Sequence, residues 1–348
     1  MLLWILKKPK LLNRHSFSLT KRTICLRSLK INIKKTLSIS LPLLLGVFLI
    51  WYSYNKFSEE QLREIQHYFS NANYRFVLIS VLCGFLSHLS RAYRWNYMLK
   101  PLGYKPKIAN NTMAVFVGYI MNLVIPRSGE FSRALIINKY EDVPYDKALG
   151  TIIGERVADM LILLIIVASA FFIQLDVLKD FVLSIVPIKN ILILLFILIL
   201  LGLAFLWFVY KTNNVLSNKI RGFVTGIFDG ILSIIKMKNK WGFIFHTLFI
   251  WVMYVAMFYI NIYALPETSN MAAGTVISAF IVGSFTIAFT NGGFGSYPFF
   301  ISKILALFSI PLTLGTAFGW IVWIAQFVMM VFFGALSLIL LPIYNRNK

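Results

Sequence analysis

Long apolar runs separated by short polar loops set the pattern of this chain. The runs fall at 37–54, 75–99, 108–125, 147–175, 190–211, 242–265, 271–290 and 313–343. Most approach or exceed the ~20 residues needed to cross about 30 Å of hydrocarbon, so they predict transmembrane helices. Two further apolar pieces, 128–139 and 297–308, are too short to cross alone. Each follows a helix-breaking turn, Pro126-Arg127-Ser128-Gly129 in the first case and Asn291-Gly292-Gly293-Phe294-Gly295 in the second.

Loop charge orients the spans. The segment before Thr36 holds ten basic residues and no acid, and the loops near 100–107 and 211–240 and the tail at Arg346 and Lys348 are also basic. Basic loops stay in the cytoplasm, so both termini are expected there. The acid-containing loops at 55–74, 176–189 and 266–270 then fall outside. Counting every long run as a full crossing breaks this parity, because the loop at 211–240 would land outside. Parity returns if 108–139 enters from the cytoplasm, turns at 126–129 and comes back, while 271–308 does the same from outside, turning at 291–295. The expected fold is an all-α polytopic membrane protein with about six full transmembrane helices plus two re-entrant helical hairpins in inverted-repeat arrangement. A basic cytoplasmic arm, 1–35, precedes a transmembrane domain, 36–348. The stretch 222–238 is amphipathic and predicts a helix on the cytoplasmic interface.

Composition agrees with a membrane class, since 59% of the 348 residues are apolar and only 14% are charged, against roughly a quarter charged in soluble domains. A formal charge of +21 raises nucleic acid as a partner, but its placement in loops and one arm is the positive-inside pattern. The arm suits anionic lipid headgroups, and no nucleic-acid role is expected. Two cysteines and four histidines without ligand spacing support neither a disulfide framework nor a metal site, and no cofactor is expected. Lys-, Asn- and Ile-rich usage points to a bacterial host and its inner membrane.

Candidate chemistry gathers at the breaks. Half-helices starting after Gly129 and Gly295 would aim free N–H groups at one region, an arrangement that suits phosphate; the alternative is that the glycines serve tight packing. Arg127, Glu130 and Arg133 follow at i, i+3, i+6, while Glu155, Arg156 and Asp159 sit together just before the apolar run from Leu161. Ionisable groups at membrane depth cost about 2.5–3.5 kcal/mol each on insertion scales and mark function by default; mutually neutralising pairs that lock helices are the other reading. His88, Arg91, Arg94 and Trp95 read as snorkelling and aromatic-belt anchors near a cytoplasmic helix end, with a substrate role for Arg91 or Arg94 as the alternative. Asn122 and Gln326 read as interhelical hydrogen-bonding residues. No nucleophile–base pair and no phosphate-loop signature stand out, so no catalytic residue is assigned.

Three blocks, Asn122-Leu-Val-Ile-Pro-Arg-Ser-Gly-Glu-Phe-Ser-Arg133, Gly154-Glu-Arg-Val-Ala-Asp159 and Asn291-Gly-Gly-Phe-Gly-Ser-Tyr-Pro298, resemble the signatures of the lysylphosphatidylglycerol synthase transmembrane-region family. This flippase-like family, also called UPF0104, includes the membrane part of the multiple peptide resistance factors. The resemblance implies a bundle with re-entrant segments that binds, and is thought to move, a phospholipid or other lipid-linked substrate. Carried over residue by residue, it implies a substrate site of Arg127, Gly129, Glu130, Arg133, Glu155, Arg156, Asp159, Asn291, Gly292, Gly293 and Gly295. The full-length resistance factors carry a cytosolic aminoacyltransferase domain after the membrane region; this chain stops at Lys348, so lysyl transfer is not expected of it. Tyr297-Pro298 stands where many members have an acid, a departure that bears on lysyl-lipid specificity. Two further readings are a non-transporting partner of a lipid-modifying enzyme or glycosyltransferase, and an intramembrane enzyme acting on lipid headgroups. A homo-oligomer is compatible with each.

Overall fold

The structure, a computed structural model, describes residues 33–173, 237–290 and 292–346, with isolated residues between 193 and 221. Most of the basic arm, of the run at 190–211 and of the amphipathic stretch 222–238, together with Asn291, therefore lie outside the described residues. The chain divides into two units, Met1–Leu41 and Pro42–Lys348. The second holds both helix breaks and every candidate site residue.

Every regular element among the described residues is helical: α1 (Ile33–Lys56), α2 (Glu59–Asn71), α3 (Tyr74–Leu99), α4 (Ile108–Val124), α5 (Gly129–Glu141), α6 (Tyr145–Ile173), α7 (Lys240–Ile260), α8 (Ala273–Phe289), α9 (Ser296–Ala306) and α10 (Leu312–Tyr344). Three stretches, Tyr74–Leu102, Lys240–Ala264 and Leu312–Tyr344, are long and apolar enough to cross a membrane by themselves. In hydrocarbon the backbone must satisfy its own hydrogen bonds, which is why helices are the elements these apolar runs form.

Both predicted breaks are present. α4 ends at Val124, α5 begins at Gly129, and the two pack side by side. Gly118 and Gly129 make that approach possible, because a Cβ on Gly129 would collide with the Gly118 carbonyl oxygen. The Asn122 side chain then accepts the Gly129 N–H at 2.7 Å. It thus satisfies a backbone donor that the helix start leaves open, within the hairpin rather than between separate spans. α8 and α9 form the second hairpin, with Gly292, Gly293 and Gly295 all in the left-handed region that only glycine adopts without strain. Trp323 of α10 donates its indole N–H to the Gly292 carbonyl at 2.8 Å, pinning that turn. Buried Tyr297 fills the space beside Gly283.

One element departs from the sequence reading. The acidic segment 59–71, read as part of an exterior loop, is a helix begun by a reciprocal capping box between Ser58 and Gln61. Leu62, Ile65 and Phe69 share its apolar face, at the i, i+3, i+7 spacing of a helix lying against a membrane domain.

Candidate functional site

Seven charged side chains from three helices meet in one network. Arg91 and Arg94 are one turn apart on α3, Glu130 and Arg133 one turn apart on α5, and Glu155, Arg156 and Asp159 occupy adjoining turns of α6. Asp159 is the hub: its Oδ2 accepts from Arg91 Nη1 at 2.5 Å and its Oδ1 from Arg94 Nη1 at 2.8 Å. Glu155 lies 3.6 Å from Arg94 Nε and 3.0 Å from Arg133 Nη2. Arg156 bridges Glu130 at 3.3 Å and approaches Asp159 at 3.9 Å. Thr247 and Tyr254 of α7 accept further hydrogen bonds, from Arg94 at 2.9 Å and Arg91 at 3.4 Å, and the Tyr254 hydroxyl pairs with Tyr119 of α4 at 3.3 Å.

Aromatic faces complete the enclosure. The Arg133 guanidinium lies 4.3 Å from the Trp95 ring centroid and that of Arg94 lies 5.2 Å from Phe243. Trp95 is held in turn by donation from its indole N–H to Thr151 at 2.8 Å. A cation over a desolvated ring gains about 2 kcal/mol or more, so Trp95 offsets part of the cost of burying Arg133.

Burial divides the network into an inner and an outer part. Arg94 and Glu155 are fully buried and the Arg91, Arg133 and Asp159 side chains nearly so, whereas the Arg156 and Glu130 side chains are 40% and 26% exposed. Four guanidinium groups face three carboxylates, leaving one positive charge in excess. Among the described residues Arg133 Nε and Nη1 and Glu130 Oε2 are buried without a hydrogen-bond partner. These groups border a crevice whose walls include Gly118, Tyr119, Asn122 and Arg156 and whose free volume is about 10 Å³, roughly the space of a single water.

The structure thus brings together Glu130, Arg133, Glu155, Arg156 and Asp159, with Gly129 at the neighbouring helix contact. Arg127 stands apart, exposed in the turn with φ 61° and without an ion pair among the described residues. Gly292, Gly293 and Gly295 form the tip of the second hairpin. A Cβ on Gly292 would come within 2.8 Å of the Leu123 side chain, so this tip abuts the end of α4. Arg91 and Arg94, read from the sequence as snorkelling anchors, are instead core members of the network. Both guanidinium groups are buried and turned onto Asp159 rather than toward the helix end. The available signal was their i, i+3 spacing on a helix whose other charged residue, Arg75, stands at its start.

The sequence pattern of a family described as the lysylphosphatidylglycerol synthase TM region matches residues 39–334. The chain is 31% identical over 97 residues to a UPF0104 membrane protein of Methanocaldococcus jannaschii, covering 27% of this chain and 29% of that protein. A UPF0104 membrane protein of Pyrococcus horikoshii is 25% identical over 169 residues, 47% of this chain and 48% of the relative. The glycosyltransferase AglD of Haloferax volcanii is 35% identical over 72 residues, 20% of this chain and 12% of AglD. The chain thus matches less than half the length of each of these relatives. No solved structure matches it.

Proposed function

The chain belongs to the lysylphosphatidylglycerol synthase TM-region family of multi-pass membrane proteins, and from that premise we propose that it binds and translocates a phospholipid or lipid-linked substrate. The observation that carries this reading is the surplus guanidinium. A buried positive charge without its own counter-ion is costly in a low dielectric, and Arg133 keeps two N–H groups unpartnered beside the crevice. A headgroup phosphate supplies the missing negative charge, and Arg binds it through paired N–H groups. Arg156 joins Arg133 in that contact, while the free Glu130 oxygen receives a cationic part of the headgroup. Exposed Arg127 makes the first encounter, and the Gly292–Gly295 backbone serves the lipid on the far side of the tips. With no phosphate-loop signature in the sequence, movement runs downhill or draws on an ion gradient or the membrane potential.

Six full spans with two re-entrant hairpins entering from opposite faces belong to the same reading, with both termini cytoplasmic in a bacterial inner membrane and the basic arm on anionic headgroups. Purified chain in liposomes tests it. Wild type is expected to accelerate transbilayer movement of labelled phospholipid, and Arg133→Gln and Glu130→Gln to abolish the acceleration while still inserting. Equal movement by all three proteins overturns the site.

The likeness to a glycosyltransferase over 72 residues favours a second reading, in which the chain docks a lipid-modifying enzyme without moving lipid itself. A stoichiometric enzyme recovered on purification, together with inert liposomes, would select it.

A further inference from the structure

A second site lies away from the arginine network, beside the tip of the second hairpin. An apolar groove of about 260 Å³ runs between α1, α2, α9 and α10, with Ile50, Phe57, Leu62, Ile65, Phe299 and Trp320 among its walls. Gly295, one of its lining residues, adopts φ 65° and packs on α1 so closely that a Cβ there would meet the Gly46 carbonyl oxygen, and one on Gly46 the Phe294 carbonyl oxygen. Outward from the groove, α1 exposes Leu44, Leu45, Val47, Phe48 and Trp51. The groove and this exposed apolar stripe thus share helix α1.

Two lysines stand on aromatic rings near the groove, with the acids of α2 (Glu59, Glu60 and Glu64) on the neighbouring helix. Lys56 Nζ stands 4.8 Å from the Tyr52 ring centroid, Lys303 Nζ stands 5.8 Å from that of Phe299, and the two rings are 6.2 Å apart edge to face. Both lysines are exposed. Glu59, the nearest acid in sequence to Lys56 together with Glu60, is engaged by Arg63 at 3.4 Å.

We propose that this groove holds one acyl chain of an anionic phospholipid, with the phosphodiester between Lys56 and Lys303. The apolar walls recognise the chain by excluding water, and two ammonium groups on adjoining rings recognise the phosphate as point charges. Ser53 and Thr316 are the side-chain hydroxyls other than Tyr54 in the groove, and the Thr316 hydroxyl is already committed to the Leu312 carbonyl at 2.7 Å. The walls thus offer little to a polar ligand. The site rests on membrane insertion alone and stands whether or not the arginine network moves lipid.

Photo-crosslinking of the full chain in nanodiscs decides the matter, with a diazirine on the acyl chain of phosphatidylglycerol in one preparation and of phosphatidylcholine in another. Adducts are expected to concentrate on Ile50, Phe57, Leu62 and Ile65, several-fold more with phosphatidylglycerol. K56Q/K303Q is expected to erase the preference between the lipids while acyl labelling of the groove persists, and Thr316→Trp or Leu62→Trp to displace the label. Arg133→Gln is expected to change none of this, so a failed translocation assay does not touch the result. Groove labelling no denser than that of Leu45 and Phe48, or a lipid preference that survives K56Q/K303Q, overturns the proposal.

Discussion

Arg133 is sandwiched between unlike partners: its guanidinium lies 4.3 Å from the centre of the Trp95 ring and its Nη2 lies 3.0 Å from Glu155. The ring takes one face of the cation and the carboxylate one edge, which leaves Nε and Nη1 free toward the crevice.

Trp95→Phe keeps a π face and loses the hydrogen bond to Thr151, whereas Trp95→Leu loses both. We expect the Phe variant to retain most lipid movement and the Leu variant to lose at least tenfold, with Arg133→Lys closer to Leu because an ammonium lacks the planar fork. Liposome translocation rates compare the three.

Asp159 neutralises two arginines directly. Asp159→Asn leaves buried guanidinium groups uncompensated, and breaking a buried pair costs about 3–5 kcal/mol. Thermal unfolding in detergent is expected to shift down clearly. Arg91→Met combined with Asp159→Asn should recover part of the loss, and a double-mutant cycle measures the coupling.

Glycines at two helical positions predict opposite outcomes. Gly129→Ala drives a methyl into the Gly118 carbonyl and forces α4 and α5 apart; reduced Tm and lost translocation are expected. At Gly150 of α6 an added Cβ meets nothing within 4 Å, so Gly150→Ala is expected to stabilise by about 0.5–1 kcal/mol through helix propensity. Paired melting curves separate the two.

Orientation is tested with single cysteines in a background lacking Cys25 and Cys83. Asp146→Cys, after the first hairpin, is expected to label only from the cytoplasmic side, and Glu60→Cys, on α2, only from outside. Exterior labelling at 146 would undo the parity on which the re-entrant reading depends.

The hairpins were legible because Pro126 and the glycines of 292–295 interrupt apolar runs, and chain breaks are local events. The partnership of Arg91 and Arg94 with Asp159 was not, since it joins positions 65 or more residues apart and the general habit of Arg near a helix end is to snorkel. A buried carboxylate within reach, here Asp159, decides between the two fates. α2 was missed for a different reason: hydropathy searches pass over a short helix with an apolar stripe, and the signal was the spacing from Ser58 to Gln61.

Among the described residues, the bridge between Glu130 and Arg156 is the most exposed link of the network, and behind it there is space for a water but not for a phosphate. In the reading proposed above, a headgroup that exchanges its phosphate for the Glu130 carboxylate at Arg156 both unfastens the hairpin and reaches Arg133, so that only a ligand bringing its own anion opens the crevice.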